Sequence, residues 1–263
     1  MKDFSLKLLG TASGIPTLKR NNVSIALNIG DIIYILDTGE QCAASFLRND
    51  MNFNKVRAIF ISHMDVDHFA GLPMLLKSMI LWASRKEPLK VFVPENAIGN
   101  VKACLNMMYL LDEVLGFSLE ILPINQEKTY NDENISISFY GNKHIKRRLK
   151  RNPCIASKYP DLQQESFSFC LQTKHKKIIY SGDLASLDEL DSFIQHTDVF
   201  ISEFAHFPPE DFFEYVSDKN IKKIILLHIH PDWDEKEDEI LAIAHKYGTR
   251  NIEIGNDNLK INL

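Results

Sequence analysis

The run Val56-Arg57-Ala58-Ile59-Phe60-Ile61 leads without a break into Ser62-His63-Met64-Asp65-Val66-Asp67-His68. The first stretch is apolar and β-branched and reads as a buried strand. Directly after it, four potential metal ligands fall within six residues. A strand tip followed by a tight loop turns alternate side chains toward one point, and imidazole nitrogens and carboxylate oxygens are donors that a divalent cation accepts. The plainer reading is a polar loop in which Asp67 caps a helix beginning near Phe69. It leaves His63, Asp65 and His68 without a purpose.

Around this segment, short β-branched runs alternate with helix-length stretches. Phe4 to Leu9, Val23 to Ile29, Ile32 to Leu36 and Leu89 to Val93 read as strands, and Gly71 to Ala83 as a helix. Pro94 and Glu95 open a second helix expected to run to about Leu111, since proline is tolerated in a first helical turn. After Phe117 to Leu122 comes a polar connection, Gln126 to Glu133. Strands are then expected at Ile135 to Tyr140, Ser166 to Gln172, Lys177 to Ser181, Asp198 to Ser202, Ile221 to Leu227 and Ile252 to Ile254. Helices are expected near Leu184 to Gln195, Pro209 and Asp234. Two sheet-rich halves with helices outside suit a layered α/β protein, a four-layer αββα sandwich, read as one domain over residues 1–263 with a seam near 126–133, and two domains split at that seam stand as the alternative because composition changes little across it.

Composition removes other classes. With 45% apolar and 25% charged residues in 263, the chain is neither disordered nor disulfide-stapled. Cys42, Cys104, Cys154 and Cys170 lie far apart without a CxxC pair and read as separate reduced thiols. No apolar window reaches the roughly 20 residues of a membrane span. The opening Met1 to Lys7 lacks the pattern of a secretory signal, so the cytoplasm is the expected compartment and no membrane partner is expected.

The segment His63-x-Asp65-x-Asp67-His68 resembles the HxHxDH signature of metallo-β-lactamase-fold hydrolases, with Asp65 in place of the second histidine. Leu8-Leu9-Gly10-Thr11-Ala12-Ser13-Gly14-Ile15-Pro16, the Arg20-Asn21-Asn22 step, Ile35-Leu36-Asp37-Thr38-Gly39-Glu40 and Gly71-Leu72-Pro73 look like the ribonuclease Z branch of that family. The resemblance implies the αββα fold and two divalent metal ions, zinc, manganese or iron. His63, Asp65 and His144 would make one site, Asp67, His68 and His228 the other, with Asp183 bridging. It also implies that Asp37 supports the metal loop from behind through hydrogen bonds. His230 is placed on the substrate side or behind His228, on the expectation that the strand continues.

The implied chemistry is phosphodiester hydrolysis by a metal-bridging hydroxide, with Asp67 positioning or deprotonating the water and His206 serving the leaving group. Lys146, Arg147 and Arg148, in the basic run Lys143 to Arg151 of a chain with formal charge −5, are expected to hold substrate phosphate. The expected partner is an anionic phosphodiester, RNA or a small or cyclic nucleotide, and relatives of this kind suggest a homodimer. The long glycine- and proline-rich arm with which ribonuclease Z enzymes grip transfer RNA has no counterpart in the sequence. Asp65 also brings the motif near the HxExDH form of flavo-diiron proteins, so a diiron oxidoreductase-like protein and a non-catalytic metal-binding module stand as alternatives.

Overall fold

The computed structural model describes residues 4–159 and 162–263. Met1, Lys2 and Asp3, part of the opening segment considered above, lie outside the described residues. The chain divides into two compact units, residues 1–124 with 256–263, and residues 125–255.

The first unit contains β1 (Phe4–Gly10), β2 (Ser24–Ile29), β3 (Ile32–Thr38), α1 (Cys42–Arg48), β4 (Val56–Phe60), α2 (Val66–Phe69), α3 (Leu72–Leu81), β5 (Leu89–Pro94), α4 (Ile98–Met107), α5 (Asp112–Leu115) and β6 (Leu119–Ile124). The second holds β7 (Thr129–Asn131), β8 (Ser136–Asn142), α6 (His144–Lys150), α7 (Pro153–Lys158), β9 (Ser166–Gln172), β10 (Lys177–Tyr180), β11 (Val199–Phe204), α8 (Pro209–Ser217), β12 (Ile224–Ile229), α9 (Glu237–Lys246) and β13 (Ile252–Ile254). A last strand, β14 (Lys260–Asn262), returns to pair with β1 in the first unit.

Each unit is built on one seven-stranded mixed sheet, β14-β1-β2-β3-β4-β5-β6 in the first and β13-β12-β11-β10-β9-β8-β7 in the second. In both, an antiparallel meander gives way to parallel pairing, at β3/β4 and at β10/β11. Parallel neighbours need a crossover, which puts helices over the sheet and makes the strands apolar on both faces. That is why β11 and β12 are buried along their whole length. In the first unit Phe46, Leu72, Leu75, Leu76 and Met79 from the helices pack with Ile35, Ile59 and Val91 of the sheet. In the second, Phe212, Phe213, Val216 and Ile240 cover Phe200, Phe204, Leu226 and Ile229.

Three expectations differ from the structure. The helix opened by Pro94 is a 3-10 turn followed by α4 and stops at Met107, because Tyr109 takes a left-handed φ of 59°. The helix expected near Leu184 to Gln195 is only a 3-10 turn at Leu187–Leu190. Its upstream amides are captured by side chains, Leu184 by Glu203 and Ala185 and Ser186 by Glu189. The polar connection after β6 contains β7.

All four cysteines are free thiols; Cys42 is buried against Ser24, and burial pushes its thiol up to about 12, which keeps it protonated and unreactive. No helix among the described residues is long and apolar enough to cross a membrane.

Close backbone packing places the loop that carries His63 to His68. The Gly71 amide donates to the Thr38 carbonyl at 2.8 Å, and a Cβ on Gly71 would overlap the Gly39 carbonyl. Only a residue without a side chain lets the start of α3 lie against the turn after β3. Gly71→Ala is therefore expected to lower stability by about 1–3 kcal/mol through forced backbone displacement. Urea denaturation checks this, and an unchanged midpoint would contradict it.

Candidate metal centre

In the first unit, β4 delivers the chain into a loop carrying His63, Asp65, Asp67 and His68. Ser62, His63 and His68 are fully buried and Asp67 nearly so. Asp67 does not cap α2. The cap position is Asp65, which makes no side-chain capping bond.

Asp37 organises this loop. Along β2/β3, Ile25 pairs with Leu36 and Ser24 with Thr38, so Asp37 is an extra residue in the ladder, with φ +55°. A bulge in left-handed conformation re-aims a side chain that strand alternation would send elsewhere, and aspartate tolerates that conformation better than most residues. Asp37 Oδ1 accepts the Ser62 amide at 2.6 Å. Its Oδ2 accepts the Ser62 hydroxyl at 2.7 Å and lies 2.7 Å from His68 Nδ1.

Counting protons fixes the tautomers. A carboxylate has none to give, so His68 Nδ1 is the donor to Asp37. Ser62 has given its single proton to Asp37, so its oxygen, 3.0 Å from His63 Nδ1, accepts there as well. Both rings therefore carry a proton on Nδ1, and in the neutral ring Nε2 is the lone pair. His63 Nε2 faces Asp65 Oδ2 at 3.6 Å, and His68 Nε2 faces Asp67 Oδ2 at 3.4 Å. A nitrogen lone pair directed at a carboxylate oxygen is repulsive unless a proton or a metal cation lies between them. This donor set fits a divalent metal, which converts both atoms of each pair into ligands.

The second unit repeats the device. Along β11/β12, Glu203 pairs with Leu227 and Phe204 with Ile229, leaving His228 as an extra residue with φ +54°. After β10, Gly182 takes φ +54°, a turn that glycine makes without steric cost, and Asp183 follows. Asp183 Oδ2 lies 3.3 Å from His228 Nε2 and 3.8 Å from His144 Nε2. His206 Nδ1 lies 4.0 Å from the same oxygen, so one carboxylate oxygen is approached by three imidazoles from separate parts of the chain. His144 opens α6, its amide donating to Asn142 Oδ1 at 3.2 Å.

His206 stands just beyond β11, a third exposed, with Nδ1 2.7 Å from Glu203 Oε2. Glu203 also accepts the amides of Leu184, Ala205 and His206. One donor atom each from Asp183, Glu203, His206 and His228 lie within 4.8 Å of one another. Sequence reasoning assigned Glu203 no role. Its signal was an acid inside the mostly apolar strand Val199–Phe204, where an unsatisfied charge could not be buried.

His230 departs from expectation. Strand β12 ends at Ile229, so alternation does not carry His230 to the side of His228. Its ring is half exposed and accepts the Asp232 amide, capping the turn at Pro231–Trp233. Lys146, Arg147 and Arg148 are exposed on α6, and Arg147 donates to the Ala185 carbonyl.

The family model described as Anti-Pycsar protein Apyc1 matches residues 4–244. The chain belongs to the Anti-Pycsar protein Apyc1 family. A Ribonuclease Z of Picrophilus torridus is 24% identical to this Apyc1-family chain over 267 residues, covering 86% of this chain and 85% of the relative. Among solved structures, the metallo-beta-lactamase fold protein YhfI from Bacillus subtilis superposes with a TM-score of 0.77 at 13% identity over all of both chains. The short form of human tRNase Z gives 0.72 at 17% identity over 98% of each. The Apyc1-family chain has the metallo-β-lactamase fold, two mixed sheets with flanking helices, and it is a metal-dependent hydrolase with a ribonuclease Z-like sequence.

Asp37→Ala would leave the Ser62 amide, the Ser62 hydroxyl and the His68 Nδ1 proton without their buried acceptor. At roughly 1–3 kcal/mol per unsatisfied group, the metal-free variant should lose at least about 3 kcal/mol. Urea unfolding in excess chelator measures this; a loss under about 0.5 kcal/mol would contradict the assigned geometry.

Proposed function

We propose that the chain hydrolyses phosphodiesters with two divalent cations, His63, Asp65, His144 and Asp183 holding one and Asp67, His68, His228 and Asp183 the other. The observation that carries this reading is the pair of Nδ1-protonated rings, His63 and His68, each presenting Nε2 to a carboxylate. The approach of both His144 and His228 to Asp183 Oδ2 supports the bridging role. Residues 1–263 act in this reading as one functional domain.

Bound divalent cations would bring the pKa of water from about 15.7 toward about 7 and offset charge developing on a phosphoryl oxygen. Asp67 orients the attacking water and accepts its proton. Glu203 keeps a proton on His206 Nδ1, so Nε2 is the atom that delivers a proton to the leaving oxygen. The solvent exposure of this ring lets it be reprotonated between turnovers. Lys146, Arg147 and Arg148 hold substrate phosphate through charge-assisted hydrogen bonds. Three aspartates among seven ligands make the donor set harder than one rich in histidine, which supports manganese or iron beside zinc.

Hydrolysis of bis-(p-nitrophenyl) phosphate after reconstitution with manganese, iron or zinc tests the reading. Activity should appear with metal and vanish in Asp67→Ala. His206→Ala should keep its metal while kcat falls about 10²–10⁴-fold, the usual contribution of a positioned proton donor. A metal-loaded protein that turns over no phosphoester would refute the proposal.

A further inference from the structure

Ser166 and Ser168 of β9 and Ser181 just after β10 are buried, each beside apolar strand neighbours. A hydroxyl without a partner is costly in such surroundings, so the bonds these groups make are informative. The register of β8 on β9 sets Asn142 opposite Ser166 and Tyr140 opposite Ser168, which leaves Asn142 diagonal to Ser168 on one sheet face.

Asn142, itself buried, lies at the centre of these bonds. Its Oδ1 accepts the Ser166 hydroxyl at 2.5 Å and the His144 amide at 3.2 Å, and its Nδ2 donates to Ser168 Oγ at 3.3 Å. Ser168 Oγ in turn donates to the Ser181 carbonyl at 2.5 Å. Protons settle the direction of this chain. A carbonyl has none, so the single Ser168 proton goes to Ser181 and Ser168 accepts from Asn142. Turning the Asn142 amide over would set its NH2 group against the His144 N–H, donor against donor.

Each end of the chain stops at a residue proposed above as a ligand or at its neighbour. One end is the His144 amide at the start of α6. The other is Ser181, whose amide donates to the Ile201 carbonyl at 3.0 Å and whose Oγ donates to the Gly182 carbonyl at 2.7 Å while accepting the Glu203 amide at 2.9 Å. Past Asp183, the Leu184 amide donates to Glu203 Oε1 at 2.9 Å. Asp183 therefore projects from a turn anchored on both sides. The 3.8 Å between His144 Nε2 and Asp183 Oδ2 exceeds a hydrogen bond, so this separation is set by the backbone from which each side chain projects.

We propose that Asn142 and Ser168 are positioning residues, a buried relay that fixes His144 relative to Asp183 so that both close on one cation together. The inference rests on the two-cation reading above and adds to it two residues that touch no metal.

Zinc alone is the probe, titrated against a chromophoric chelator into the full-length protein and its Asn142→Ala, Ser168→Ala and double variants. Each single variant should hold one of the two zinc ions about 10–100-fold more weakly, the usual effect of removing a group that orients a ligand. Because both substitutions cut the same path, the double variant should fall within about threefold of the weaker single one. Wild-type affinity in either single variant, or losses that multiply in the double, overturns the inference. Ser168→Ala keeps the bonds from Asn142 to His144 and Ser166, and it decides the matter alone if Asn142→Ala does not fold.

Val216→Ala separates positioning from general loosening. This buried position in α8 belongs to the apolar core of the second unit, and its truncation should lower the urea midpoint while both zinc affinities stay at the wild-type value. A comparable loss of zinc in Val216→Ala would mean that stability alone controls binding, and the relay would be refuted. A protein that binds two zinc ions yet turns over no phosphoester sinks the phosphodiesterase reading, while the variant affinities still decide the relay. A wild-type protein that binds no zinc sinks both.

Discussion

The hydrogen bonds gathered by Asp37 are the constraint on which the candidate centre depends. A single carboxylate takes the Ser62 amide, the Ser62 hydroxyl and the His68 ring proton, and through Ser62 it also decides which nitrogen of His63 carries a proton. Because these groups are wholly buried, water cannot substitute for the missing acceptor if Asp37 moves. Orienting groups behind a ligand raise its basicity and hold its ring angle, so metal affinity is sensitive to residues that touch no metal.

The two units reach comparable solutions with unrelated sequences. Asp37 and His228 are both extra residues in a strand pair, both left-handed, and each stands at the carboxyl end of a strand next to the change from antiparallel to parallel pairing or just beyond it. Positive φ at a residue with a side chain is uncommon and carries a free-energy cost, which surrounding structure must override. Here the ladder continues on both sides of each bulge. Function and backbone strain coincide, as they do where a side chain must leave the face that alternation assigns to it.

Much of this was legible in the chain. Strands such as Ile32 to Leu36 and Val56 to Ile61 announce themselves by β-branched apolar runs, and the donors of the His63 to His68 loop by their density. The rest was not, for physical reasons. The stretch Leu184 to Gln195 reads as a helix, yet the capping box of Ser186 and Glu189 opens only a 3-10 turn, and the Leu184 amide is taken by Glu203 19 residues away, a capture that leaves no periodic trace. The role of Glu203 depended on where the loop bearing His206 folds back. His230 looked like a partner of His228 only while the strand was assumed to continue past Ile229.

The most direct measurement is nitrogen-15 magnetic resonance of the histidine rings during zinc titration, a diamagnetic ion that leaves the signals sharp. In the zinc-loaded protein, His63 and His68 should each show a proton on Nδ1, and zinc should shift the unprotonated Nε2. A proton on Nε2 of either ring in the zinc-loaded protein, or Nε2 signals indifferent to zinc, would contradict the account.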